Sequence, residues 1–136
     1  VSDEYVVDAS VASTAVLAKG AGGKAVQRFL ESVVTHAPHL IDAEVGSVLR
    51  RHERRGLLGA DEAGPVGLRM LETIVDHRYA HHGWLASEAW KLRHNVTFYD
   101  ALYAALAARL DVPLLTSDAR LSRASGLPCR VELFTA

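Results

Sequence analysis

Thr97–Leu121 reads TFYDALYAALAARLDVPLLTSDARL, and its parse decides the fold. Thr97-Phe98-Tyr99-Asp100 has the Thr-x-x-Asp form of a capping box, which places a helix start there. Ala101 to Leu110 contains neither Gly nor Pro and is rich in Ala and Leu, the strongest helix formers. Asp111-Val112-Pro113 breaks that helix. Val112, Leu114 and Leu115 are too few for another, but suit a strand buried on both faces, and Thr116-Ser117-Asp118 ends it. In an open α/β sheet, ligands bind outside the carboxyl ends of the strands. Asp118 falls at such a position, and Asp100 opens the helix that feeds the same strand. Each acid also has a purely structural reading, Asp100 in capping its helix and Asp118 in capping a short one from about Ala119. The functional reading needs further acids.

The bulk numbers narrow the classes. With 136 residues the expectation is a single domain, 1–136, large enough for a substantial core. Hydrophobic content of 49% and charged content of 23% argue against disorder. The net charge is −1, so any RNA binding must come from a local patch rather than a general pull on polyanions. One cysteine, Cys129, excludes an internal disulfide and a cysteine-built zinc site, and fits a reducing compartment. The opening VSDEYVVDAS, with two acids before a short apolar run, is the reverse of a signal peptide. No apolar run approaches the roughly 18 to 20 residues that span a bilayer. The expectation is a soluble, cytoplasmic protein with no membrane partner.

Outside the deciding stretch, Tyr5-Val6-Val7 reads as a first strand, with Asp8-Ala9-Ser10 at its carboxyl end. Val11 to Leu17 reads as a short helix. Lys19-Gly20-Ala21-Gly22-Gly23 lacks the GxxxxGK[ST] of a phosphate-binding loop and reads as a flexible turn. Lys24 to Thr35 has Val26, Phe29, Leu30 and Val33 at helical spacing, and Pro38 to Ile41 resembles a second short strand or an extended entry. Asp42-Ala43-Glu44 opens a helix to about Arg55, with Val45, Val48, Leu49 and His52 inward. Glu44, Ser47, Val48, Arg51 and Arg55 share a neighbouring face, which suits a metal at one end and an RNA backbone along Arg51 and Arg55. A solvated helix end explains the two arginines equally well.

A further helix starts at Gly59-Ala60-Asp61 and turns Leu68, Leu71, Ile74 and Val75 inward. His77 to Gly83 is hard to read and has room for an edge strand; adjacent His81 and His82 lack an HExxH partner for zinc. Leu85 to Arg93 reads as a helix, Leu121 to Ser125 as a short one stopped by Gly126, and Cys129 to Leu133 as a last strand.

This order predicts a mainly parallel sheet covered by helices, with its strand carboxyl ends along one rim. Asp8 and Asp118 end two strands there; Glu44 and Asp100 lie in the first turns of two helices. Four converging carboxylates repel one another unless a cation intervenes. Mg²⁺ and Mn²⁺, which prefer oxygen ligands and keep waters, fit that need. The chemistry such a cluster serves is phosphodiester hydrolysis, in which the metal acidifies a water and neutralises developing charge.

At these residues the chain resembles the PIN-domain nucleases, and within them the VapC-type toxins. The likeness rests on YVVDAS around Asp8, DAEVGSVLRR around Glu44, TFYDALYAALA around Asp100 and LLTSDARL around Asp118, in that order along nearly the whole chain. It implies a three-layer α/β/α sandwich, endoribonuclease activity dependent on Mg²⁺ or Mn²⁺, homodimerisation, and neutralisation by a small antitoxin. Asp8, Glu44, Asp100 and Asp118 match the family's catalytic and metal-binding acids, and Thr116 and Ser117 its supporting polar pair. Asp42, two helical positions from Glu44, should point elsewhere. A receiver domain would need a paired acid and a late lysine, and a haloacid dehalogenase-like phosphatase an Asp-x-Asp that Asp8-Ala9-Ser10 lacks. A non-catalytic PIN-like module that only binds RNA or a partner is the remaining alternative.

Overall fold

The computed structural model describes residues 2–17, 20–59 and 61–135. Five short strands, β1 (Glu4–Val7), β2 (Val34–Pro38), β3 (His77–Tyr79), β4 (Leu114–Thr116) and β5 (Val131–Leu133), form one sheet in the order β3-β2-β1-β4-β5. Every pairing is parallel; in register, Val6 faces His36 on one side and Leu114 on the other. Parallel strands need crossovers, and helices supply them. One layer holds α1 (Ala9–Leu17), α2 (Gly20–Glu31), α3 (Leu40–Arg54) and α4 (Ala63–Ile74), which pack on one another. The other holds α5 (Trp84–Trp90) against α6 (Phe98–Leu110), while the short α7 (Ala119–Ser122) joins β4 towards β5. The result is the expected three-layer α/β/α sandwich. Val6, Val7, Leu114 and Leu115 are buried, as central strands covered on both faces must be.

The Thr97–Leu121 stretch folds as its residues dictate. Thr97 is extended, and its hydroxyl accepts the Asp100 N–H at 3.1 Å, capping α6. The helix ends where Asp111 turns left-handed at φ 55°. There the Val112 N–H reaches Ala107 O and the Asp111 N–H reaches Ala108 O, the paired bonds of a Schellman motif. Pro113 then blocks continuation and its carbonyl accepts from Val6 N, which starts β4 beside β1.

Four expectations need correction. Gly20–Gly23 is the first turn of α2, not a flexible turn, while Lys19 lies outside the described residues. α2 stops at Glu31, so Val34–Pro38 is a strand and the second strand ends at Pro38 rather than beginning there. α3 starts at Leu40, which puts Glu44 beyond its first turn. Leu68 is 44% exposed, because α4 turns Gly67, Leu71 and Ile74 inward instead. A Cβ on Gly67 would stand 3.1 Å from Leu49 Cδ2, so the missing side chain lets α4 approach α3 closely. Ala60, in the expected start of that helix, lies outside the described residues. His77–Tyr79 is the edge strand for which His77–Gly83 had room.

Candidate active site

The strand order reverses between β1 and β4, and such switch points open a crevice at the carboxyl rim. Asp8 directly follows β1, and Ser117-Asp118 directly follows Thr116 at the end of β4. α3 brings Glu44 to the same rim from the far end of β2, and α6 brings Asp100 in its first turn.

Asp8 is only 6% exposed, and donors meet both of its oxygens. Ser10 Oγ donates to Oδ1 at 2.5 Å and the Val11 N–H reaches the same atom at 3.2 Å. The Thr116 hydroxyl donates to Oδ2. Thr116 is fully buried and also accepts the Asp118 N–H at 3.0 Å, so one hydroxyl ties the first acid to the backbone of the last. The Ser117 N–H donates to Ser10 Oγ at 2.9 Å. Ser117 thus supports the site through its backbone; its exposed hydroxyl makes no bond among the described residues.

Glu44 Oε1 accepts from the hydroxyl of Tyr103 on α6 at 2.6 Å. A contact across the sheet rim is not what a carboxylate spent on its own helix end would make. Asp100 shares the Thr97 cap, but there the hydroxyl and the Asp100 N–H do the capping. Asp118 does cap α7, since Oδ1 accepts the Arg120 N–H at 2.9 Å and lies 3.6 Å from Arg120 Nε. Its Oδ2 keeps no such partner among the described residues. The structural and functional readings of Asp118 therefore coexist on different oxygens.

The four carboxylates feel one another, with Asp100 as the hub. Burial is the main cause that raises Asp8 above the ordinary carboxylate range, opposed by its Ser10, Thr116 and Val11 donors and reinforced by Asp100. Glu44 is raised by burial first, then by Asp100 and Asp8, against the Tyr103 hydrogen bond. Asp100 is raised by burial and by Asp118, against its Thr97 hydrogen bond and the charge of Arg120. Tyr103 is pushed far up by burial and by the acids around it, so its phenol stays a donor.

All the offered donors are oxygens, the choice of hard cations. Among the described residues no three acidic, imidazole or thiol side chains form a ready-made ligand set for one ion. An ion held through one or two carboxylates and its own waters suits such a site, so the donor set fits a hard divalent cation.

Beside the cluster, a groove of about 440 Å³ runs between α1, α3 and the start of α6, with Ser10, Glu44, Arg51 and Tyr99 in its wall. Arg51 lines it; Arg55, at the C-cap of α3, does not. Two other expectations resolve here. Asp42 turns away to a bidentate pair with Arg78, at 2.8 and 2.9 Å. His81 Nε2 accepts the Leu40 N–H at 2.7 Å, so it caps α3 in place of the missing side-chain cap of His39.

The PIN domain profile matches residues 5–127. The chain belongs to the PIN-domain family. Among the relatives of this PIN-domain chain is Ribonuclease VapC1 of Mycobacterium tuberculosis, 48% identical over 131 residues, which span 96% of this chain and 98% of that one. Two solved structures share its fold. VapC20 of Mycobacterium tuberculosis, described as a sarcin-ricin loop cleaving toxin, superposes with a TM-score of 0.66 at 22% identity, covering 93% of this chain and 98% of that one. VapBC2 from Rickettsia felis, bound to a DNA fragment from their promoter, gives 0.70 at 11% identity, with 97% and 99% covered.

Two residues of this PIN-domain site escape the sequence reading. Ser10 stands two positions after Asp8, a spacing at which hydroxyls and carboxylates bond locally. Tyr103 is three positions after Asp100, and so on its helix face. It is also a polar group in the otherwise apolar buried run Ala101–Ala107, and that is the signal that could have found it.

Proposed function

We propose that this PIN-domain protein is an endoribonuclease, the toxin of a toxin–antitoxin pair, whose Asp8, Glu44, Asp100 and Asp118 hold Mg²⁺ or Mn²⁺. The observation that carries the reading is the meeting at the β1/β4 switch point, where the Thr116 hydroxyl joins the Asp8 carboxylate to the backbone of Asp118, and Tyr103, on the helix that carries Asp100, donates to Glu44. The 48% identity to a named ribonuclease supports it. When bound, the cation supplies an acidified water and charge neutralisation at the phosphate. The protein's own residues set the geometry. Ser10, Val11 and Thr116 favour the ionised form of Asp8 and fix its orientation. Tyr103 holds Glu44, and the Thr97 cap holds the backbone of Asp100. Hydrolysis joins a water oxygen to phosphorus and breaks the bond to the 3′ oxygen, leaving a 5′-phosphate and a 3′-hydroxyl. A small antitoxin is the proposed protein partner, in line with the paired VapBC2 structure, and a homodimer the proposed assembly. No helix is long and apolar enough to cross a membrane among the described residues; the proposed site of action is the cytoplasm.

Induction in a bacterial host tests this reading. Growth should arrest with fragmentation of RNA, and Asp100→Asn, made to equal levels, should do neither. Arrest by the variant equal to that of the wild type would refute it.

A further inference from the structure

The groove beside the four acids carries features that holding a cation does not use. Tyr99 stands in its wall, 59% exposed, although it immediately precedes Asp100 on α6. Its ring makes no contact with another aromatic side chain and its hydroxyl no hydrogen bond among the described residues. Arg51 also lines the groove, with no ion pair among those residues. It is seven positions beyond Glu44, so about 10 Å further along α3 at about 1.5 Å per residue. Ser13, also in the wall and 6% exposed, has the one buried side-chain polar atom without a partner among the described residues. A hydroxyl inside a helix ordinarily bonds back to a carbonyl one turn earlier, as Thr14 does with Ser10 O at 3.0 Å. An unpartnered buried hydroxyl is costly to keep, and so marks a place where a ligand group completes the site.

We infer that this groove is a nucleotide subsite for the single-stranded RNA residue next to the scissile phosphate. Its base stacks on Tyr99, its flanking phosphate meets Arg51, and the Ser13 and Ser47 hydroxyls face its polar edges. The volume falls within the range of small-ligand sites, about 300–1,000 Å³. Exposed aromatic rings beside basic side chains are how proteins hold unpaired bases. In a chain with a net charge of −1, a lone guanidinium and an aromatic face also provide the local grip that bulk charge does not. This rests on the ribonuclease reading, and assigns Tyr99 as a positioning residue for the substrate rather than a ligand of the cation.

The test uses a single-stranded hexaribonucleotide carrying 2-aminopurine, whose fluorescence falls when the base stacks. It is titrated in EDTA and again with Ca²⁺, against wild-type protein and single variants. Wild type and Tyr99→Phe should quench the probe. Tyr99→Leu should lose the quench and bind about fivefold or more weakly, within the about 5- to 150-fold that one base stack is worth. Tyr99→Trp should keep the quench, and Ser13→Ala and Arg51→Ala should weaken binding while keeping it. Because Tyr99 is exposed, the Leu variant is expected to fold, and its melting temperature checks this. Equal quench and affinity in wild type and Tyr99→Leu would overturn the subsite. So would Tyr99→Leu weakening the hold on the antitoxin alone, which would give the groove to the protein partner. No binding of the probe in either condition, with longer RNA still cut in Mn²⁺, removes the subsite and leaves the nuclease. Loss of both binding and cutting removes both.

Discussion

Replacing Thr116 by Val is the substitution whose consequences the structure defines most fully. The two side chains have nearly the same shape, but the hydroxyl is lost. Thr116 is fully buried, and its oxygen serves the Asp8 carboxylate and the Asp118 N–H. A hydrogen bond to a charged group is worth about 1.5–3 kcal/mol, and a neutral one about 1 kcal/mol, so the loss should be about 2.5–4 kcal/mol. Burial already raises the Asp8 carboxyl, so protonation is a cheaper escape than for an ordinary carboxyl and this range is an upper bound. For 136 residues the unfolding entropy is about 0.29 kcal/mol/K, which converts the loss to a fall of up to about 9–14 °C in Tm. Thr116→Ser keeps the hydroxyl and loses a methyl group, for about 1 kcal/mol or roughly 3 °C. The assay is thermal unfolding by circular dichroism at pH 7 in EDTA. Because the Thr116 bond favours the ionised form of Asp8, the acid limb of the cleavage profile should also move to higher pH in the Val variant. A Val variant that melts within 2 °C of the Ser variant, with an unmoved acid limb, would refute the role given to this hydroxyl.

Three further outcomes follow from the acids and the histidine cap. Asp100→Asn should leave the metal-free protein as stable as wild type or more so, since the Thr97 cap uses the backbone N–H and the repulsive hub is gone; Mn²⁺ should raise its Tm much less than that of wild type. Asp8, Glu44 and Asp100 are all raised in the folded state, so without metal their contribution to stability is fully present below the ordinary carboxylate range. It is lost as pH rises through the raised values, and urea melts in EDTA between pH 4 and 7 should show that decline reduced in Asp100→Asn. His81 is lowered by burial and by His39 and His82, so its contribution has the opposite sign, present at neutral pH and lost as pH falls through the lowered value. His81→Ala should cost about 1 kcal/mol, roughly 3 °C in Tm at pH 7, and nothing once the wild-type imidazole is protonated; an equal loss at both pH values would deny the cap to Leu40.

The parts of the fold that were legible in the sequence are those fixed by local chemistry. Thr97 and Asp111-Val112-Pro113 bound α6 through bonds among near neighbours, and Val6-Val7 and Leu114-Leu115 are apolar runs with one plausible fate. The misread parts depend on tertiary packing. Glycine runs ordinarily cost helix about 1 kcal/mol per residue, yet Gly20–Gly23 opens α2, whose packing on α1 offsets that cost. Val33-Val34-Thr35 continued the helical spacing of Val26 and Leu30, but β-branched residues favour strands. Thr35 is then claimed by distant partners, the carbonyl of Ile74 and the carboxylate of Asp76. Three of the four proposed acids, Asp8, Asp100 and Asp118, could be picked out because each sits beside a boundary that the sequence marks, while Glu44 lies one turn inside α3. Their supports could not, because Ser10 reaches Thr116 and Glu44 reaches Tyr103 only once the sheet has formed.

Hydrolysis of RNA by the four carboxylates with the help of a divalent cation is tested by mapping the ends of RNA cut by the purified protein, with Mn²⁺ and with EDTA. Internal cleavage should leave 5′-phosphate and 3′-hydroxyl ends and stop in EDTA. Undiminished cutting in EDTA, or ends carrying a 2′,3′-cyclic phosphate, would contradict it.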